Sequence, residues 1–320
     1  MVMHYLKLVR WTNLVILALL MAIVRLYIFE KGLQNSGVLF TLQFPESSFW
    51  ILTLSVVLIA AGGNIVNDIY DQDIDKINKP EKRIIGVHIK ENQAWIVYGI
   101  LTLSGIVMGY YLALKQGDTS FALFHWVSAL LLWIYASQMK KSPLIGNIII
   151  ALLAAAVPVL QLTFEYHSMH NEYAFILDME GLANPLTFMM EWCFYLAVFA
   201  FLTTLIRELV KDVEDMEGDK RLGARTLPVI IGIDSVKRIA STLSIITIAL
   251  LYFSLFYLSI FSQNKIIFLI YQSITIALLI GYAIMSLNKA SAKNDFAKIS
   301  TLWKLIMLAG FGTCVLYGLL

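Results

Sequence analysis

WIVYGILTLSGIVMGYYLAL, from Trp95 to Leu114, runs without one charged side chain. A helix needs roughly 20 consecutive apolar residues to cross the hydrocarbon of a bilayer, so this stretch decides what the chain folds against. LIGNIIIALLAAAVPVLQLTF, from Leu144 to Phe164, behaves in the same way. Apolar residues fill 59% of the 320 positions and charged ones only 14%, against roughly 45–50% and about 25% in a soluble domain. Lipid tolerates only backbone whose hydrogen bonds are satisfied internally, and helices meet that demand segment by segment. The chain therefore reads as an all-α polytopic membrane protein, integral and multi-pass. Apolar stretches and their polar breaks predict about nine transmembrane helices, centred near residues 20, 57, 104, 129, 154, 198, 247, 275 and 310. The stretch around residues 35–45 reads either as a tenth element or as a loop on the far side.

No soluble domain separates from these spans. The longest polar connections, about 67–93 and 207–237, are too short for a core of their own, so residues 1–320 are expected to form a single membrane domain. The first apolar segment follows Lys7 and Arg10 with no small-residue cleavage site behind it, and reads as a retained first span. Cys193 and Cys314 both fall in predicted spans and read as small core residues rather than thiol chemistry. With a formal net charge of +2, no nucleic-acid partner is expected; membrane lipids are.

Positive charge orients the bundle. With the amino terminus placed inside and nine spans, one set of loops collects Lys76, Lys79, Lys82, Arg83, Lys90, Lys140, Lys141, Arg207, Lys211, Lys220, Arg221, Arg225, Lys237, Arg238, Lys289, Lys293 and Lys298, while the other holds little beyond Lys31, Lys115 and Lys265. The first set is assigned to the cytoplasm by the positive-inside rule. The opposite loop, expected over about Glu165 to Pro185 and including His167 and His170, contains no Lys or Arg.

Two acidic clusters interrupt the apolar chain on the cytoplasmic side. NDIYDQDID carries Asp68, Asp71 and Asp75, and KDVEDMEGD carries Asp212, Asp215 and Asp219 at the same internal spacing. If the second span continues as helix, Asn64, Asn67, Asp71 and Asp75 recur every three or four residues and line one face. Carboxylates at this density repel, so a cation is needed to neutralise them, and hard oxygen donors suit magnesium. Two matched faces are expected to hold two magnesium ions bridging a diphosphate. A solvated loop explains one cluster but not the repeat. An EF-hand start at Asp71, Asp73 and Asp75 fails, because its sixth position is Lys76 and its twelfth Lys82.

GGNIVNDIYDQDIDKINKPEKR, followed much later by RELVKDVEDMEGDKRLGARTLPVIIG, resembles the paired aspartate signatures of the UbiA-type intramembrane prenyltransferases. Length, span count and motif positions agree over essentially the whole chain. Within the family the form RE..KDxED.EGD is most similar to the archaeal-type geranylgeranylglyceryl phosphate geranylgeranyltransferases; chlorophyll synthase-like members share DxDxIN.P and EGD...G..TLPV. The resemblance implies nine helices around a central cavity open to lipid, with both motifs at its cytoplasmic end. It also implies a prenyl diphosphate held through magnesium, ionisation of its carbon–oxygen bond, and capture of the allylic cation by an acceptor. Position by position it marks Asn67, Asp71 and Asp75, then Asp212, Asp215 and Asp219, as catalytic metal ligands, with Asp68 as a further ligand or a supporting partner. Lys140 and Lys141 match a basic position between the fourth and fifth spans and become the first candidates for gripping the diphosphate, with Arg83, Lys211 and Arg207 behind them. Arg10 and Asn13, in VRWTN, match a position at the mouth of the first helix suited to the acceptor's polar end.

One departure stands out. Family members often follow the first motif with an R-P-I-P-S-G turn, whereas this chain reads Arg83, Ile84, Ile85, Gly86, Val87, His88; acceptor choice is the property this leaves open. The favoured reading is transfer of an isoprenyl group to a lipid-like acceptor, with an aromatic or chlorin-type acceptor as the alternative. A divalent-cation transporter is disfavoured, since transport calls for acidic groups near mid-membrane and an exit on the far side. Phosphatidyltransferases are disfavoured because their D-G-x-x-A-R element is missing.

Overall fold

The computed structural model describes residues 2–35, 40–177 and 186–320. Among these residues nine helices are long and apolar enough to cross a membrane: Trp11–Asn35, Glu46–Tyr70, Glu91–Gln116, Thr119–Ser137, Ile145–Phe175, Thr187–Arg221, Ile233–Tyr257, Lys265–Lys289 and Lys293–Leu319. Each contains one of the expected centres, and the described residues form no strand. Part of the stretch around residues 35–45 lies outside the described residues, and its described end, residues 40–45, leads into the second span without helix.

The expected far-side loop begins later than its polar residues suggested. The fifth span stays helical to Leu177, so Glu165, His167 and His170 are helical residues; residues 178–185 lie outside the described residues. The physical reason is burial. Glu165 is 0% exposed and pairs with Arg25, itself 8% exposed. A carboxylate with a buried partner has no need of a loop.

The chain groups into two compact units. The first comprises Met1–Met21, Phe44–Ile149 and Glu217–Thr226. Here small residues meet bulk and let neighbouring spans approach closely: a Cβ at Gly62 in the second span would lie 2.2 Å from Thr102 Oγ1 in the third, and one at Gly109 in the third only 2.2 Å from the His125 ring in the fourth. His125 is seated between helices, its Nε2 3.0 Å from Ser55 Oγ. At one end of this unit Leu8, Ile65, Ile69, Ile85, Ile89 and Ala94 form a buried cluster. The cluster fastens the short helix Val2–Leu8 and the link after the first acidic cluster onto the second and third spans. Each large aliphatic side chain removed from water there contributes roughly 1.5–3 kcal/mol.

The second unit comprises Ala22–Gln43, Ile150–Met216 and Leu227–Leu320. In it the first span widens to a π-helix over Val24–Glu30, the segment that presents Arg25 to Glu165. Trp192, Tyr195 and Phe261 pack edge to face, with centroids 5.4–5.5 Å apart. The Glu191 carboxylate accepts hydrogen bonds from Ser259 Oγ (2.8 Å) and Ile260 N (3.1 Å), tying the turn Ser259–Phe261 to the sixth span. Cys193 and Cys314 are buried and free, in keeping with a packing role.

Candidate functional site

The second span ends at Tyr70, and Asp71, at φ −89° and ψ 0°, separates it from a short helix, Gln72–Asn78. The i to i−4 ladder nevertheless crosses the break: Asp71 N donates to Asn67 O at 3.0 Å and Asp75 N to Asp71 O at 2.9 Å. Asn67 and Asp71 therefore stay one turn apart, both 8% exposed, and Asn67 Nδ2 donates to Asp71 Oδ2 at 2.7 Å. Asn64, on the same helix one turn earlier, is engaged by backbone: its Nδ2 donates to Val9 O at 2.9 Å.

A base from another part of the chain closes on this pair. Lys140 Nζ donates to Asn67 Oδ1 at 3.2 Å and also to Asp71 Oδ2. Burial alone would lower the pKa of this ammonium; the Asp71 carboxylate, with Tyr135 and Asp75 behind it, outweighs burial and holds it above the ordinary lysine value. Asp75, half-buried beside them, is pushed up to about 6, first by burial and then by the negative charge of Asp71. Asp73 differs: it is exposed and pairs with Lys76 at 2.6 Å.

The turn that carries Lys140, Met139–Lys141, is fixed from both sides. A Cβ at Gly146 would stand 2.8 Å from Met139 O and 3.2 Å from Lys140 Cα, so only glycine lets the fifth span start this close. Leu144 holds a left-handed backbone, φ 66°. Lys141 is exposed, and its carbonyl accepts a hydrogen bond from Arg225 N at 2.9 Å.

Arg225 belongs to the segment that follows the second acidic cluster, and the first unit gathers that segment beside the first cluster. Asn78 Oδ1 accepts from Gly218 N at 3.1 Å, an approach that a Cβ at Gly218, 2.5 Å from the Asn78 amide, would prevent. Asp219, 6% exposed, accepts from Thr226 Oγ1 at 2.9 Å. Asp212, Asp215 and Asp219 share the helix Thr187–Arg221 at spacings that put them on one face. In the second unit Arg207 Nη1 donates to Glu208 Oε1 at 2.5 Å, and Lys211 Nζ lies 3.8 Å from Glu208 Oε2. Both bases thus share a buried carboxylate that sequence reasoning did not single out.

The remaining residues are placed as follows. Asp68 points to Arg10, whose Nη2 donates to its Oδ1 at 2.8 Å; Arg10 itself adopts φ 56° at the break between Val2–Leu8 and the first span. Asn13 is exposed in the first turn of that span. Arg83 is half-buried in the link after Pro80–Lys82. Asn78, Glu208, Gly218 and Thr226 stand in the quoted signatures, but sequence reasoning gave none of them a role. For Asn78 the N in DIDKIN was the available signal, but no spacing rule ties it to a glycine so far along the chain.

Among the described residues no three His, Cys, Asp or Glu side chains gather closely enough to hold a metal ion unaided. The donor chemistry at Asn67 and Asp71 still suits one: two buried hard oxygens already converge on a cationic group, and magnesium commonly takes only one or two protein ligands beside phosphate and water.

Comparison with known proteins points one way. The sequence profile described as the UbiA prenyltransferase family matches residues 36–306. The chain is 37% identical over 204 residues to a digeranylgeranylglyceryl phosphate synthase of Pyrococcus horikoshii, covering 64% of this chain and 64% of that protein. It thus spans less than two thirds of that relative. To the Methanosphaera stadtmanae protein of the same name it is 33% identical over 81% of this chain and 84% of the relative. A solved structure concerned with digeranylgeranylglyceryl phosphate synthase in membranes superposes with TM-score 0.57 at 25% identity, covering 98% of each chain. A UbiA homologue from Aeropyrum pernix superposes with TM-score 0.66 at 14% identity, over 95% of this chain and 98% of that one. An Archaeoglobus fulgidus homologue, solved with GPP and Mg2+, does so with TM-score 0.56 at 16% identity, over 98% and 99%.

Proposed function

Because the chain belongs to the UbiA prenyltransferase family, an integral multi-pass membrane fold, we propose that it moves an isoprenyl group from a prenyl diphosphate to a lipid-like acceptor. Geranylgeranylglyceryl phosphate is the first candidate acceptor, since one further geranylgeranyl group on it would give digeranylgeranylglyceryl phosphate, the product for which the relatives are named. In this reading residues 1–320 work as one transferase domain whose active end faces the cytoplasm.

Asn67, Asp71 and Asp75 form one set of magnesium ligands and Asp212, Asp215 and Asp219 the other. Asp68 supports the first set through Arg10 rather than as a ligand. Two bound magnesium ions would supply charge neutralisation for the diphosphate leaving group. Lys140, Lys141, Arg83, Lys211 and Arg207 add positive charge around the same group, lowering the cost of the negative charge that develops as the carbon–oxygen bond breaks. Arg10 and Asn13 meet the acceptor's polar end. The diphosphate departs with the electron pair of the broken bond. The acceptor hydroxyl oxygen forms the new bond to the allylic carbon, and its proton passes to the departing diphosphate. The apolar spans exclude water, which would otherwise capture the same cation.

The observation that supports this most is the gathering of Asn67 and Asp71 on the ammonium of Lys140: oxygens arranged for a cation, with a phosphate-binding base beside them. The test is direct. Full-length protein in detergent is incubated with radiolabelled geranylgeranyl diphosphate and, separately, geranylgeranylglyceryl phosphate, an aromatic acid or a chlorin carboxylate, with and without a chelator. Label transferred to the glycerol phosphate lipid, abolished by chelator and restored by Mg2+, is the expected result. Transfer to another acceptor alone overturns the acceptor, and transfer unaffected by chelation overturns the metal reading.

A further inference from the structure

The Lys140 side chain occupies the oxygens that the proposed function reserves for a metal. Its Nζ lies on Asn67 Oδ1 and Asp71 Oδ2, two buried groups already linked to each other through Asn67 Nδ2. An ammonium and a divalent cation cannot share one carboxylate oxygen at contact distance, since like charges this close and this buried repel strongly. An ion that takes Asn67 Oδ1 and Asp71 Oδ2 must therefore displace the ammonium. Nor does the backbone beneath Lys140 yield easily: Gly146 packs against Met139 and Lys140, Leu144 is left-handed, and Lys141 O is bonded to Arg225 N. The side chain must swing while its turn stays.

A displaced ammonium needs a new anion, because a partly buried lysine without one is costly. A diphosphate arriving with the ion provides it. We infer that Lys140 is a place-holding cation: it competes with the first metal ion for Asn67 and Asp71, so that the ion binds firmly only together with the diphosphate that draws Lys140 away. This rests on the reading of Asn67 and Asp71 as metal ligands and adds an order to it. The protein discriminates against free metal and against diphosphate without metal, and the two enter as one charge-balanced unit. The link from Lys141 O to Arg225 N places the turn beside the segment after the second acidic cluster, so the swing occurs where both motifs report in the first unit.

Binding of Mn2+ alone, followed by the paramagnetic resonance of the free ion on full-length protein in detergent, tests the inference. Lys140→Met is expected to bind Mn2+ at least about tenfold more tightly than the unaltered protein, a factor equivalent to about 1.4 kcal/mol of removed competition. Lys140→Gln, which keeps a polar donor without charge, is expected to follow it, which guards against a folding defect in either variant. Geranylgeranyl thiolodiphosphate, an analogue that resists ionisation, should tighten Mn2+ binding in the unaltered protein and tighten it much less in Lys140→Met. Equal Mn2+ affinity in the unaltered protein and both variants overturns the inference. Adding Asp71→Asn to Lys140→Met separates the two levels: if Mn2+ affinity is then unchanged, the ion does not lie on Asp71 and the ligand assignment itself fails.

Discussion

Asp71 allows charge to be separated from shape. Asp71→Asn keeps an acceptor for the Asn67 amide and for Lys140 but removes the negative charge, so transfer per folded molecule should fall by a factor of about 100 or more, measured as turnover of labelled diphosphate, and the thermal midpoint should drop as well, because Lys140 loses its counter-charge. Full turnover in this variant would remove Asp71 from the site. Glu208→Gln acts differently. It deprives Arg207 and Lys211 of their shared buried carboxylate and should cost about 3 kcal/mol of stability, read as a lowered midpoint in a thermal-shift assay. At this scale the sequence revealed what repeated: the aspartates were visible because the same spacing occurs twice, and Lys140 because a basic pair stands out between apolar spans. Glu208 was hidden, since one acid among several on a long helix declares its partners only when side chains are placed. The contact of Asn78 with Gly218 was hidden for a related reason, as nothing local specifies a long-range glycine contact.

Single elements carry the next set of expectations. Gly146→Ala pushes a methyl against Met139 O at 2.8 Å and should shift the Lys140 turn, raising KM for the prenyl diphosphate several-fold with the helical circular-dichroism signal unchanged. Gly109→Ala meets the His125 ring instead; overpacking of this kind costs about 1–3 kcal/mol and should lower the midpoint with KM unaltered. Asp295 caps the ninth span, accepting from Ala292 N at 3.0 Å and Ser291 N at 3.2 Å. Asp295→Ala leaves both donors without that acceptor and should lower the thermal midpoint. Helix positions were legible because apolar runs of spanning length admit little else. The break at Asp71 and the continuation of the fifth span past Glu165 were not, because the first depends on one residue's backbone angles and the second on a partner in a distant segment.

For the molecule in its membrane, the charge pattern of the loops predicts sidedness. Cysteines introduced at Glu81 and at Asp118 should react with an impermeant maleimide from opposite sides of sealed vesicles, Glu81→Cys from the cytoplasmic one; labelling of both from one side would overturn the orientation. The two native thiols are buried and contribute little background. The fold class was legible from composition alone, while the division into two compact units was not, because hydropathy reports how often a chain crosses the bilayer and not which crossings pack together. The pairing of Arg25 with Glu165 bears on how the protein is made. The two residues are 140 positions apart, so during synthesis the arginine enters the bilayer long before its counter-ion has left the ribosome. An arginine at mid-helix opposes insertion by about 2.5–3.5 kcal/mol, and until the fifth span is translated the leucine- and isoleucine-rich neighbours in the first must hold it in place unaided. A nascent chain arrested before Glu165 should consequently yield its first span to alkaline extraction more readily than one arrested after it.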